Sequence, residues 1–174
     1  MKEAFKIGKV NTILGEIDQV STIWSLQDLW STIKVRWSIG RMNYKVEPGL
    51  YAVGAPNPNS DLFVTGNYKL SFDHLRCSLD GLNAWILVID TKGINVWCAA
   101  GKGTFGTKEI IYRIQKHQLD LILMHRKIIV PQLGATGVAA HKVKEATGFR
   151  VIYGPIRAED IPEFVSNGYH ATPQ

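Results

Sequence analysis

The hydrophobic positions of this chain fall into two patterns: short unbroken apolar runs, and longer stretches with helical spacing. Ala84-Trp85-Ile86-Leu87-Val88-Ile89 is an unbroken run bounded by turn residues, which predicts a strand buried on both faces. Asp61 to Thr65, ending at Gly66-Asn67, predicts a second strand, and Leu119 to Met124 a third. Ile128-Ile129-Val130 and Arg150-Val151-Ile152-Tyr153 predict two short strands, closed by Pro131 and by Gly154-Pro155.

Helical spacing appears between these runs. Leu26, Leu29, Trp30, Ile33 and Trp37 share one face, with Ser25 as a cap and Gly40 as a stop. A helix capped by Ser71 is expected to end at Gly81, with Leu70 and Leu75 as a hydrophobic staple. Ile110, Ile111 and Ile114 predict a helix over about Lys108–Gln118. Another opens at Gln132-Leu133-Gly134-Ala135-Thr136-Gly137 and stops at Gly148. The last starts near Asp160, with Pro162 in its first turn, and ends near Gly168. Glu47-Pro48-Gly49-Leu50 reads as a turn and Ala55 to Ser60 as a loop. Strand and helix alternate, which predicts an α/β fold with a mostly parallel sheet and flanking helices. Ligands of such sheets bind beyond the carboxyl ends of the strands.

The length of 174 residues suits one domain. Residues 1–20 are weakly patterned and are expected to form an N-terminal arm, with 21–174 as the folded domain. With 20 Lys+Arg against 15 Asp+Glu the net charge is only +5, and no basic run marks a nucleic-acid groove. The longest apolar run is far below the roughly 20 residues of a membrane span. Met1–Lys9 has no apolar core of a signal peptide. The two cysteines, Cys77 and Cys98, cannot build a disulfide framework and suit a reducing, cytoplasmic setting. Cys77 reads as structural.

Gly101-Lys102-Gly103-Thr104-Phe105-Gly106 spells the dinucleotide fingerprint, but no acid ends the next strand to hold a ribose. Gly106 is followed by Thr107-Lys108, so a P-loop fails as well. There is no G-x-S-x-G elbow and no carboxylate pair to support hydrolysis. The five histidines are scattered. Cys98 has a bland reading, a buried inert thiol. Its functional reading rests on place, because a thiol near a helix N-terminus and beside Lys102 favours the thiolate, a soft metal ligand. With no second ligand nearby, one thiolate suits a metal already held in a macrocycle, a haem or a corrin. Trp97 is the best candidate for the wall of a large flat ligand.

The segment Asn95-Val96-Trp97-Cys98-Ala99-Ala100-Gly101-Lys102, continued through Thr107, resembles the signature of the corrinoid protein of the bacterial mercury-methylation pair. Gly40-Arg41-Met42-Asn43-Tyr44, Val46 to Tyr51, Asn67-Tyr68-Lys69, Pro131 to Ala135, Gly148-Phe149, Gly154 to Ala158 and Asp160-Ile161-Pro162 support it, over roughly residues 20 to 172. The domain is also similar to the corrinoid domain of the corrinoid iron–sulfur protein large subunit, a relative that in this family picture lacks the cysteine. The resemblance implies a Rossmann-like corrinoid-binding domain holding cobalamin, with Cys98 as lower axial ligand to cobalt and as the catalytic residue. Asn95, Val96, Trp97, Ala99 and Ala100 would form a cap helix, and Gly101, Lys102, Gly103, Thr104, Phe105 and Thr107 would approach the corrin. Gln132, Leu133, Gly134, Ala135, Gly137, Gly154 and Pro155 would line the nucleotide tail. Thr65, Gly66, Asn67 and Tyr68 would face the ring. Asp73 is followed directly by His74, so the histidine motif of methionine-synthase-type corrinoid domains is absent.

The resemblance further implies methyl transfer to mercuric ion, favoured by thiolate donation to cobalt. A ferredoxin-like protein with two iron–sulfur clusters would reduce the cobalt, and a folate-linked methyltransferase would supply the methyl group. The alternative is a one-carbon corrinoid carrier of acetyl-CoA-type metabolism. A third reading, from another class, is a nucleotide-binding or regulatory domain using the Gly101–Gly106 loop. Members of the mercury family continue into membrane spans, whereas this chain ends at Ala171-Thr172-Pro173-Gln174, so an excised cytosolic domain or a soluble paralogue is expected.

Overall fold

The computed structural model describes residues 5–25 and 45–170; the helix expected over Leu26–Trp37 lies outside the described residues. One sheet of seven strands runs through it in the order β1-β2-β3-β5-β4-β6-β7. The strands are β1 (Lys6–Thr12), β2 (Gly15–Val20), β3 (Gly49–Val53), β4 (Leu62–Gly66), β5 (Ala84–Ile89), β6 (Lys127–Val130) and β7 (Arg150–Tyr153). The run β5-β4-β6-β7 is parallel throughout, whereas β3 is antiparallel to β5 and β1 to β2. This is the mostly parallel α/β sheet with flanking helices that the alternation predicts.

The helices are α1 (Lys69–Ser78), α2 (Val96–Gly101), α3 (Thr107–Lys116), α4 (Leu119–Ile122), α5 (Ala140–Thr147) and α6 (Ile161–Ser166). Side chains alternate across a strand. In β5, Trp85, Leu87 and Ile89 pack with Ala99, Phe105, Ile110 and Val143 of the α2–α5 side. Ala84, Ile86 and Val88 pack with Phe72, Leu75 and Phe164 of α1 and α6. Both faces are covered, which is why β5 is apolar at every position.

Four expectations are corrected. Leu119–Met124 is not a strand but contains α4. Leu119, Ile122 and Leu123 are buried while Asp120 and Leu121 are exposed, which is helical spacing hidden in a short apolar run. The α1 helix starts at Lys69 with Tyr68 at its cap, two residues ahead of Ser71. Its first turn is set by the Lys45–Tyr68 bridge and the Lys69–Asp73 ion pair of 2.6 Å. The helix expected from Gln132 to Gly148 is broken into a 3-10 turn over Gln132–Gly137 and α5, with extended Val138 between them. The weakly patterned first twenty residues supply the hairpin β1-β2, and β2 pairs parallel to β3, whose residues Leu50 to Val53 are buried. A short solvent-facing hairpin carries little periodicity, and β3 begins inside the segment read as a turn.

Asp73 and Arg76 of α1 are buried together, 2.8 Å apart. Arg76 also donates to the carbonyls of Ser21 and Ile23, tying the chain after β2 to the helix. At the end of α3, His117 buries an Nε2 that has no hydrogen-bond partner among the described residues. Burial, and then the charges of Arg113 and Lys116, hold this imidazole below its usual 6.5. The unfolded chain therefore takes the proton first as pH falls. Stability should be full above about pH 6.5 and should decline below it, toward the depressed folded value. Urea midpoints at about pH 5 and about pH 7.5 should differ less in His117→Gln than in the parent protein.

Candidate functional site

The chain passes from β4 through α1 to β5 on one side, and then crosses to β6 on the other side of β4. The strand order reverses there, and open α/β sheets bind ligands in the crevice so formed. A cleft of about 460 Å³ occupies that place. Thr65, next to last in β4, lies in its floor, Pro131 follows β6, and Gly154-Pro155 follow β7. Ser71, His74 and Leu75 of α1 form one wall. Asn95, Val96 and Trp97 at the start of α2 form another, and Ile156 to Glu159 with Ile161 close the rim. Trp97, Ile156 and Leu133 are 69%, 65% and 41% exposed, so the mouth presents unusual apolar surface. His74 stands edge-on to Trp24 with ring centres 5.3 Å apart.

The α2 helix explains how its segment is shared. Val96, Ala99 and Ala100 face the core, while Trp97, Cys98 and Gly101 face outward. Six residues are too few for a helix to hold itself. Asn95 supplies the cap, its Oδ1 accepting from the Cys98 N–H at 2.9 Å. The N–H groups of Thr104 and Phe105 donate to the Ala99 carbonyl at 2.9 and 3.1 Å and close the far end. The 3-10 turn over Gln132–Gly137 packs against α2 at very close range. A Cβ on Gly137 would fall 2.1 Å from the Phe105 carbonyl oxygen, and one on Gly134 2.4 Å from the Phe105 ring.

Cys98 is half-buried on α2, next to Trp97. Among the described residues no group of three or more His, Cys, Asp or Glu could hold a metal ion, so any metal at Cys98 would need most of its ligands from elsewhere. The β5–α2 loop before it is held from below. Asn67, 3% exposed, accepts from the N–H groups of Thr91 and Gly93 at 3.0 and 2.9 Å, and its Nδ2 donates to Asp90 at 3.1 Å. Burial works against the Asp90 charge, but the Lys92 ammonium and backbone N–H and the Asn67 amide outweigh it and hold the carboxyl below its usual range.

The structure divides the expected site residues. Thr65, Asn95, Val96, Trp97, Leu133, Gly154 and Pro155 meet in the cleft. Gly66, Asn67, Tyr68, Ala99, Ala100, Phe105 and Gly134 are packed inside the protein. Gly103, Thr104, Thr107 and Gly137 border a separate shallow depression with Asp90, Lys92 and Lys108. The Thr107 hydroxyl accepts from the Ala139 N–H at 2.8 Å, a tie between α3 and α5. Gly101, Lys102 and Gln132 are exposed and Cys98 and Ala135 half-buried, all outside the cleft lining. Sequence reasoning missed Ser71, His74 and Leu75, because a helix face turned toward a cleft has no pattern of its own. Ile156 to Ala158 and Ile161 lie in segments that support the resemblance but are given no site role by it.

Comparison with known proteins gives a family and several relatives. The model of the family described as CO dehydrogenase/acetyl-CoA synthase delta subunit (CdhD) matches residues 25–165. The chain is 29% identical over 144 residues to subunit gamma of the acetyl-CoA decarbonylase/synthase complex of Methanopyrus kandleri, covering 82% of this chain and 31% of that one. It is 33% identical over 122 residues to the corrinoid/iron-sulfur protein large subunit of Moorella thermoacetica, covering 69% and 27%. Subunit gamma from Archaeoglobus fulgidus is 30% identical over 130 residues, covering 72% and 27%. The chain thus spans under a third of the length of these relatives. Among the described residues no helix is long and apolar enough to cross a membrane.

The close packing of the 3-10 turn on α2 makes a stability prediction. Gly137→Ala meets backbone and should cost about 1–3 kcal/mol in urea unfolding. Gly101→Ala, with nothing within 4 Å of the added carbon, should be neutral or stabilising by up to about 1 kcal/mol.

Proposed function

This chain belongs to the CO dehydrogenase/acetyl-CoA synthase delta subunit family, and from that premise we propose that it is the corrinoid-binding unit of a methyl carrier in acetyl-CoA-type one-carbon metabolism. The observation that carries the reading is the apolar cleft at the strand-order reversal, with an exposed tryptophan at its mouth; the half-buried Cys98 follows that tryptophan in the chain, just outside the cleft lining. The names of the relatives support it, two speaking of an acetyl-CoA decarbonylase/synthase complex and one of a corrinoid/iron-sulfur protein. None of the three speaks of mercury, so the reading expected second stands ahead of the mercuric-ion acceptor expected first.

The residues present fit a corrinoid. A cleft of this volume takes a group of drug-like size. A whole corrinoid is larger, and the apolar side chains of Trp97, Leu133 and Ile156 offer surface for the remainder. When bound, a corrinoid supplies a cobalt ion that accepts and releases a methyl group. The chain's own part is to hold and shield. Thr65, Pro131, Gly154 and Pro155 floor the cleft, and His74, Arg157 and Glu159 provide its titratable groups. Cys98 would offer the metal a soft sulfur donor. Asn95 keeps Cys98 in the first turn of α2. A folate-linked methyltransferase and a ferredoxin-like protein with two iron–sulfur clusters are the partners this chemistry calls for.

A second reading keeps mercuric ion as the acceptor. It rests on Cys98 within Asn95–Lys102, the segment that carries that resemblance.

Titration of the purified protein with methylcobalamin should change the visible spectrum to that of a base-off corrinoid. Cys98→Ala should still bind while giving a different bound spectrum. No spectral change in the parent protein removes both corrinoid readings, and identical spectra for the two proteins remove the sulfur ligand. Methylmercury formed by the methylated, reduced protein from mercuric ion would favour the second reading over the first.

A further inference from the structure

The sequence presents Asn67 as a residue facing a ring, but the structure turns its side chain inward. Among the described residues its amide bonds to the β5–α2 loop. Oδ1 accepts from the N–H groups of Thr91 and Gly93, and Nδ2 donates to Asp90. The Thr91 hydroxyl lies 2.7 Å from the Ile94 carbonyl and 3.0 Å from Asn67 Oδ1, with one proton for the two acceptors. Gly93 turns the loop at φ +72°, and its Cα lies so close to Lys45 that a Cβ would fall 2.6 Å from that side chain. The Asn67 backbone carbonyl accepts from the Val46 N–H at 3.0 Å, so the clasp itself is fixed to the neighbouring chain. A Cβ on Gly66 would fall 2.8 Å from the Thr91 side chain, which leaves that side chain no room to settle deeper.

This loop ends at Asn95, whose side chain caps α2 on the Cys98 N–H. From the end of β4 to Cys98 the link runs by hydrogen bonds from Asn67 to the Thr91 and Gly93 backbone, along the chain through Ile94 to Asn95, and by the cap bond to Cys98. The α2 helix is too short to choose its own position. We propose that Asn67 is a positioning residue, which touches no bound ligand and sets where Cys98 sits. The inference rests on the reading of Cys98 as a cobalt ligand for its functional meaning, but its structural half stands apart from that reading.

The test uses both properties. In the full chain without corrinoid, iodoacetamide should alkylate Cys98 at least about threefold faster in Asn67→Ala than in the parent protein, because a loosened α2 exposes its sulfur. Cys77 on α1 serves as the internal reference and should change less than about twofold. With methylcobalamin, Asn67→Ala should still bind, since the cleft lining does not include Asn67, but should give the bound spectrum of Cys98→Ala. If Asn67→Ala does not fold, Thr91→Val removes one hydroxyl from the same loop and should move both readouts the same way, with Thr91→Ser restoring them.

Unchanged Cys98 alkylation in the folded variants overturns the proposal. So does a rise in which Cys77 increases equally, which marks general loosening. If the parent protein takes up no methylcobalamin, the corrinoid reading fails, while the alkylation result still decides whether Asn67 positions Cys98. Loss of methylcobalamin binding in Asn67→Ala with Cys98 alkylation unchanged would make Asn67 a ligand contact and overturn the proposal as well.

Discussion

The short α2 helix cannot exist by itself, and the architecture around the site follows from that constraint. Six residues carry too few internal hydrogen bonds to offset the cost of nucleating a helix. Every force that fixes it comes from outside. Asn95 caps it from the front, the Thr104 and Phe105 amides close it from behind, and the glycines of the 3-10 turn let another backbone press against its side. Asn67 holds the loop that delivers it. A longer helix would be more stable but would carry its own register. A short one takes its position from the sheet and loops that hold it.

The sheet in turn explains why an opening exists. Because β4 sends its first crossover one way and β5 sends the next the other way, the elements following β4 and β6 diverge beyond the strand ends. No side chain needs to be removed to make the cleft. The antiparallel β3 and the hairpin β1-β2 extend the sheet on the far side of β5, away from this opening. They lengthen the sheet without crowding the site.

The parallel strands were legible in the sequence because covering both faces makes their apolar runs continuous. The α4 segment was misread for the same reason, since a run of four to six apolar residues looks alike in a buried strand and in one turn of a buried helix. The burial of Leu119, Ile122 and Leu123 around exposed Asp120 and Leu121 reveals the helix only once the fold is known. The glycines posed a harder problem. The resemblance gives Gly134 and Gly137 as lining a nucleotide tail, whereas in the structure both border Phe105. A glycine next to a backbone and a glycine next to a ligand leave the same letter in the sequence.

The segment from Asn95 to Lys102 shows how a site can be embedded in a packing unit. Helical spacing sends Val96, Ala99 and Ala100 into the core and leaves Trp97, Cys98 and Gly101 outside. The 3-10 turn lies against Ala100, with a Gly137 Cβ position only 3.3 Å from the Ala100 Cα, and leaves no room there for a larger side chain. Part of this stretch is therefore open to a ligand, and the buried residues fix the angle at which that part is presented. A specific sequence signature need not be a list of contacts. Where the helix is this short, most of its letters are accounted for by the requirement that Trp97 and Cys98 be held still.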